Sequence, residues 1–440
     1  MSLSGIVIAV LYVVLVCTPA ALAVFFGRPA GDFFYEAGRS AALIGFTILV
    51  LQTVLAARWK WVSRPFGLDI VLRFHRNAAI LAVVLLLSHP LLLAAGGAGA
   101  ELIVSLDVPW FIWLGKMALV LLLLNVLLSG LRARLRVAFE HWRFLHDIVG
   151  PVLLGVAFVH SWVTGGDLKS PVLRTAWVVL LAGGVTTFAW HRLVRPVVQR
   201  RKAWRVTAVT RETDDVCTLE LAPPEGEAGP EYLPGQFHFL TLHRGRGLPH
   251  EEHHWTISSS PTQAGRVTST IKAIGDFTAT IPDTRVGDAV SVQGAFGRFS
   301  YQLHPGERDL VFVVGGIGIT PVMSMLRCMR DRQENLRVLL LYANRTESAI
   351  VFRQELEAIA AGRYPLLRVV HVLSRAGEEW TGEKGHIDRE MLERYIEGDL
   401  SRKTFYICGP GPLMKATVAN LKAMGVKDRQ IRTELFRLID

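Results

Sequence analysis

Apolar residues gather in six long runs in the first part of the chain, at roughly 4–26, 40–57, 74–95, 110–131, 144–163 and 173–191. A bilayer core takes about 20 apolar residues of helix to cross, so each run predicts a membrane span. The first has no basic start, and its apolar stretch is longer than that of a signal peptide, so it reads as a retained helix. From about residue 203 the pattern changes. WRVTAVTRETDDVCTLEL alternates as strand, turn and strand, YLPGQFHFLTL follows, and short strands with turns recur to about Val292. That pattern predicts a small antiparallel barrel. Beyond it, DLVFVVGGIGITPVMSML, VLLLYANR, ESAIVFRQELEAI, LLRVVHVLS and TFYICGPGPLMKATVANL alternate strand with helix, the pattern of an α/β parallel sheet. The expected fold is a multidomain membrane protein, with a six-helix transmembrane bundle over 1–195, an antiparallel β-barrel over 203–303 and an α/β parallel-sheet domain over 308–440.

Charge adds an orientation. The net charge of +10 would fit a nucleic-acid binder, but its distribution argues otherwise. Basic residues cluster at Arg58, Lys60, Arg64, Arg73 and Arg76, at Arg132, Arg134, Arg136 and Arg143, and from Arg192 to Arg205. These are alternate loops, and the positive-inside rule assigns them to the cytoplasm. The N-terminus and the soluble half then lie on the cytoplasmic side of a multi-pass cell-membrane protein. The four cysteines, Cys17, Cys217, Cys328 and Cys408, contain no C-x-x-C and no close pair, which points away from a disulfide framework or a cysteine metal site.

The third run, RFHRNAAILAVVLLLSHPLLL, carries His75 and His89. The fifth, WRFLHDIVGPVLLGVAFVHSW, carries His146 and His160, also fourteen residues apart. Fourteen helical residues advance about 21 Å and fall about 40° short of four full turns, so both members of each set face one way at opposite depths. The two spans run in the same direction. His75 therefore matches His146 near the cytoplasmic surface, and His89 matches His160 near the outer one. Ionisable residues within a span are costly and usually functional. Facing imidazoles are suitable axial ligands for haem iron, and bis-His ligation favours electron transfer. Packed or snorkelling histidines are the bland alternative, and the doubled spacing argues against it. His141 and His191 read as interfacial.

The soluble half offers weaker local signals. HHWTISSSP, from His253, sets an imidazole, an aromatic face and hydroxyls along one strand edge, a set able to hold a flavin. IKAIGDFT and VQGAFGRF place glycines beside hydroxyls, which admits a pyrophosphate or marks ordinary turns. At Gly315, Gly316 and Gly318 a hydrophobic strand runs into a glycine loop. A helix is expected from about Pro321 with Thr320 as its N-cap, its N-terminus open to phosphate. The loop departs from G-x-G-x-x-G.

Taken together and in order, these motifs resemble the NADPH oxidase and ferric reductase superfamily, prokaryotic type: a six-helix bis-haem membrane domain fused to a ferredoxin–NADP reductase-like dehydrogenase. HHWT resembles the family's H-P-F-T, with His for Pro and Trp for Phe; GDFT resembles G-D-W-T; GGIGITP resembles the nicotinamide glycine loop, and CGP the element beside the nicotinamide. The resemblance implies FAD on His253, Trp255, Thr256, Lys272, Gly275, Phe277 and Thr278. It implies dinucleotide on Gly315, Gly316, Gly318, Thr320, Pro321, Gly409 and Pro410, and Cys408 near the site of hydride transfer. Phe436 in TELF would stack on the flavin. Ser374 and Arg375, with Arg345 as a second candidate, would grip a 2′-phosphate, which favours NADPH over NADH. The implied activity is transmembrane electron transfer from NADPH through FAD and two haems of b type to a small-molecule acceptor. Dioxygen giving superoxide is the leading acceptor. The alternatives are a ferric or cupric chelate, or a haem module serving a quinone or partner protein. Lys116, on the outer side of the fourth span, would pair with a haem propionate, draw an anion, or snorkel. No obligatory protein partner and no regulatory segment are evident, so constitutive activity is expected.

Overall fold

A computed structural model describes residues 3–27, 31–245 and 247–434. The chain divides between Pro196 and Val197 into two compact units.

The first unit is helical: α1 (Leu3–Phe26), α2 (Phe33–Ala56), α3 (Lys60–Phe66), α4 (Leu68–Leu93), α5 (Glu101–Val104), α6 (Trp110–Leu131), α7 (Phe139–Thr164) and α8 (Pro171–Ala189), with α9 (Arg195–Arg201) crossing the boundary into the second. Among the described residues six of its helices are long and apolar enough to cross a bilayer. Their outward faces carry exposed apolar side chains such as Val7, Leu81, Leu124 and Val179, the natural surface for lipid. The second span begins earlier than its apolar run predicts. Asp32 caps α2 by accepting from the Tyr35 N–H at 2.9 Å, so a polar turn containing Glu36 and Arg39 joins the helix ahead of the apolar stretch. That turn is anchored: Arg39 Nε donates to Asp167 at 2.7 Å, and Asp167 is buried in the loop before α8. Trp177 of α8 is also buried. It stacks on Phe46 of α2 at 4.7 Å and donates to Ser161 of α7 at 3.0 Å. The long helices pair as antiparallel neighbours, α2 along α4 and α6 along α7.

The second unit holds two sheets. The first comprises β1 (Trp204–Thr213), β2 (Val216–Ala222), β3 (Phe237–His243), β4 (Glu252–Thr256), β5 (Val267–Lys272) and β6 (Ala289–Phe296), with a short α10 (Asp276–Ala279) after β5. Its order is β4-β3-β6-β1-β2-β5, and all its pairs are antiparallel. The two edges meet where the Ser258 N–H donates to the Thr268 carbonyl at 2.8 Å, curling the sheet around Leu219, Leu221, Leu240, Leu242 and Val290.

The second sheet is built from β7 (Asp309–Gly315), α11 (Ile319–Asp331), β8 (Arg337–Asn344), α12 (Arg353–Ala361), β9 (Leu366–Leu373), β10 (Glu383–Lys384), α13 (Arg389–Tyr395), β11 (Lys403–Cys408), α14 (Gly411–Ala423) and β12 (Ile431–Glu434). Its strands are parallel in the order β10-β9-β8-β7-β11-β12. Separate apolar cores form on its two faces, one with α11 and α12, the other with α13 and α14. Strand order reverses between β7 and β11. In open α/β sheets, ligands enter at the carboxyl ends of the strands flanking that reversal.

Candidate functional sites

The four membrane histidines fall on α4 and α7. The ring centres of His75 and His146 lie 6.3 Å apart. Two metal–imidazole bonds of about 2 Å each, with the half-widths of two rings, fill that gap. Hydrogen bonding gives a stronger test. A ligating imidazole binds through one nitrogen and donates from the other, which fixes its tautomer. His89 Nδ1 lies 2.9 Å from the Gly38 carbonyl, His160 Nδ1 2.7 Å from the Phe111 carbonyl, and His146 Nδ1 2.9 Å from Asn125 Oδ1. His75 Nδ1 lies 2.7 Å from the Gln52 amide. Three Nδ1 atoms thus face acceptors on a neighbouring helix, which leaves Nε2 to ligate; the fourth, that of His75, faces a Gln52 amide that does the same only with its oxygen turned inward. Room has been made as well: a Cβ at Gly115 would come within 2.6 Å of the His160 ring. The donor set fits two bis-imidazole haems.

Supporting contacts lock His146 further. Trp142 lies 5.3 Å from its ring and donates to Ser129 at 3.0 Å, and Ser129 donates to the Asn125 carbonyl at 2.7 Å. Asp147, the next residue, pairs with Arg192 at 2.6 Å. Lys116 does not extend to a neighbouring charge: its ammonium donates to the Ser105 carbonyl at 2.6 Å. Gln52 and Asn125 escaped the reading of the sequence, although each is the one amide in its long helix. A lone amide in an apolar span was the available signal.

In the barrel, His253 and Trp255 occupy alternate positions on β4 and share a face. Their rings stack at 5.6 Å, and His253 also meets Phe277 at 4.1 Å and Glu251 at 2.8 Å. Thr256 is buried on the opposite face. Gly275 is exposed, with open space where a side chain would stand. Two proposed flavin contacts are engaged locally. Lys272 pairs with Asp215 at 3.1 Å. The Thr278 hydroxyl accepts from the Ile274 and Gly275 N–H groups at 2.9 Å and donates to the Gly275 carbonyl, closing the first turn of α10.

At the reversal of the parallel sheet, the turns after β7 and β11 touch backbone to backbone. A Cβ at Gly318 would come 2.4 Å from the Cys408 carbonyl oxygen, and one at Gly409 would come 2.8 Å from the Gly315 nitrogen. Gly316 and Gly409 also have φ values of +53° and +153°, in the region that favours glycine. Thr320 is a correction. Helix α11 begins at Ile319, so Thr320 stands inside its first turn, buried, donating to the Ile317 carbonyl at 3.1 Å. The glycine turn tightens into a 3-10 segment over Gly316–Gly318 and feeds the helix directly, bringing its start forward of Pro321, which is buried. Cys408 ends β11 fully buried, beside Glu434 of β12. Burial, then the Glu434 charge, pushes its thiol above the ordinary range, so it is neither a nucleophile nor a ready metal ligand. Pro410, next to Gly409, is exposed at the mouth. Arg345 and Arg375 are exposed at the carboxyl ends of neighbouring strands, joined by an Arg375 N–H to Arg345 carbonyl bond of 2.8 Å; Ser374 donates from its backbone to the Asn344 carbonyl at 3.0 Å. Phe436 lies outside the described residues.

Residues 41–157 match the family described as ferric reductase like transmembrane component, and residues 312–419 match the oxidoreductase NAD-binding domain. The two matches fall one in the membrane half and one in the nucleotide-binding part of the chain. The first match includes His75, His89 and His146 and stops three residues short of His160; the second includes the glycine turn, Ser374, Arg375 and Cys408. In sequence the chain is similar to NADH–cytochrome b5 reductase 1 of Arabidopsis thaliana, 33% identical over 175 residues that cover 39% of this chain and 62% of that protein. It is also similar to the glycine betaine monooxygenase reductase subunit of Chromohalobacter salexigens, 34% identical over 212 residues covering 47% and 56%. The chain thus spans less than two thirds of the length of these curated relatives. A flavohemoglobin from Malassezia yamatoensis with bound FAD and heme aligns with 96% of the chain and 100% of its own at a TM-score of 0.50 and 16% identity, a likeness of fold alone.

Proposed function

We propose that this protein is a multi-pass cell-membrane oxidoreductase that takes electrons from NAD(P)H on the cytoplasmic side and delivers them, by way of FAD and two bis-histidine haems, to a small-molecule acceptor on the outer side. One observation carries the reading: two pairs of histidines on two parallel spans, with every Nδ1 atom engaged by a polar group of a neighbouring helix. The cofactors supply hydride acceptance and one-electron transfer; the chain supplies position. His75 and His146 hold the inner haem, His89 and His160 the outer. His253, Trp255 and Phe277 form the aromatic wall of the flavin site, with Thr256 behind it and Gly275 beside it. The turns at Gly315–Gly318 and Gly409–Pro410 bring backbone N–H groups to the dinucleotide, with Cys408 as a neutral neighbour. Arg345 and Arg375, with Ser374, give the 2′-phosphate of NADPH two guanidinium partners, which favours NADPH over NADH. The alternating basic loops support an orientation with the N-terminus and reductase half in the cytoplasm. No nucleic acid and no obligatory protein partner enter this scheme.

Dioxygen, giving superoxide, is the acceptor we favour. The ferric reductase match of residues 41–157 supports a second reading, reduction of a ferric chelate. The two separate in one experiment. Purified protein with FAD is followed under air for NADPH oxidation and for superoxide dismutase-sensitive cytochrome c reduction, with His89→Ala alongside. NADPH loss matched by superoxide, with both lost in the variant, supports the oxidase. Little superoxide, with reduced haem that reoxidises on adding ferric chelate, supports the reductase. A haem-free wild type overturns both.

A further inference from the structure

The four histidine contacts obey one register. On α2, Gln52 and Gly38 are fourteen residues apart, as His75 and His89 are on α4. On α6, Asn125 and Phe111 are fourteen apart, as His146 and His160 are on α7. Each histidine helix therefore runs antiparallel to a partner that meets it at two levels. The kind of partner differs between levels. Both outer imidazoles meet backbone carbonyls, of Gly38 and Phe111, whereas both inner imidazoles meet side-chain amides, of Gln52 and Asn125.

We infer that Gln52 and Asn125 are positioning residues that set the tautomer and donor strength of the inner histidine pair alone. The inference rests on the haem reading above. An acceptor on Nδ1–H fixes the proton there and makes Nε2 a stronger donor to iron, favouring the oxidised metal. The Gln52 amide can take two orientations. With its oxygen toward His75 it accepts from Nδ1–H at 2.7 Å. Reversed, its nitrogen donates to Nδ1 and to the His75 carbonyl at 3.2 Å. The reversed form forces the ring proton onto Nε2 and cancels ligation. In that form its oxygen also accepts from the Ala79 N–H at 3.1 Å, so the amide is satisfied at both ends only when iron is not bound at Nε2. Ligation therefore selects the oxygen-inward amide. Gln52 is buried. At the outer level no side chain can be exchanged to the same effect, because the acceptors are main chain.

The test uses the full-length protein in nanodiscs and a redox titration of the haem absorbance. Wild type is expected to titrate as two components. Gln52→Leu and Asn125→Leu should shift one component, the same in both, to higher potential. Gln52→Glu and Asn125→Asp keep the shape, add basicity, and should shift that component to lower potential, with its low-spin EPR signal altered and the second component unmoved. Shifts of opposite sign on a single component are what a purely structural role would not produce. If only the Leu variants shed haem while the Glu and Asp variants shift downward, the inference also stands. It is overturned if the isosteric variants leave both components unmoved, move both, shift in the same direction as the Leu variants, or lose haem themselves. A wild type without haem overturns the haem reading instead, before any variant is compared.

Discussion

In the membrane unit the candidate ligands are side chains on two helices, each with its far ring nitrogen tied to a neighbouring helix. At the reversal of the parallel sheet the working surface is backbone: two glycine turns approach so closely that there is no space for a methyl group between them. The first kind of site depends on chemistry at a few atoms and sits on elements that hold themselves straight. The second depends on the absence of atoms. The two should therefore fail differently, the first by losing a donor, the second by gaining volume.

The largest effect is expected where a donor is removed. His75→Ala and His160→Ala should each lose one haem equivalent of two, with electron delivery to the outer side abolished while flavin content stays unchanged. Haem assay by pyridine haemochrome against flavin fluorescence reads both. Loss of both haems from either variant would break the comparison, because it would make the two levels one cooperative site. Next in size is the added volume. Gly318→Ala drives a Cβ toward the Cys408 carbonyl, 2.4 Å away, and must displace one turn from the other. A displacement on the scale of an ångström costs about 100-fold in hydride transfer. The nicotinamide-driven rate should fall by about that factor, with both haems retained and still reoxidised normally after chemical reduction. A Gly318→Ala protein with normal turnover would show that the turn is free to move.

The same contrast explains what could be read from the chain alone. The paired histidines were readable because a helix converts spacing into direction: fourteen residues mean one face and two depths, whatever surrounds them. The antiparallel barrel and the parallel sheet were readable from their alternation for the same reason. Thr320 was misread because a side chain suited to capping says nothing of where the preceding turn tightens, and the 3-10 segment over Gly316–Gly318 moved the helix start. Gln52 and Asn125 were missed because their importance lies in the register between helices, which no single span records. The engagement of Lys272 with Asp215 and of Thr278 with its own turn is likewise tertiary or local geometry, invisible to a motif.

A third prediction concerns the edge of the sheet, where side chains again carry the contact. If Arg375 and Arg345 serve a 2′-phosphate, Arg375→Ala should raise the KM for NADPH and leave NADH nearly unaffected. A hydrogen bond to a charged group is worth about 1.5–3 kcal/mol, so a tenfold to hundredfold loss of preference is expected from steady-state kinetics with both nucleotides. Equal losses for both would assign the arginine to the shared part of the dinucleotide.

The smallest effect comes from a histidine that is none of these things. His238 of β3 is fully buried, bonded through Nε2 to Ser269 at 2.6 Å, in the barrel rather than the membrane unit. Burial lowers its pKa from 6.5 to about 3, so the folded barrel holds it neutral. The unfolded chain takes a proton as pH falls below 6.5, whereas the folded chain resists until about 3. Its contribution to stability is therefore complete above pH 6.5 and is lost between there and about 3, at a slope of about 1.4 kcal/mol per pH unit. His243, lowered to about 4 by burial, then by the His250 and Arg200 charges, acts in the same direction over a narrower range. Flavin-fluorescence melts of the full-length protein at pH 7.5, 6 and 5 should show the reductase transition falling, and His238→Gln, which cannot take up a proton, should flatten that fall without changing haem content. An unchanged pH slope in the variant would mean that the imidazole takes up its proton in the fold as readily as in the unfolded chain, and so is charged there below pH 6.5. His238 would then be a charged core residue, and the division between ligand histidines and packing histidines would have to be drawn elsewhere.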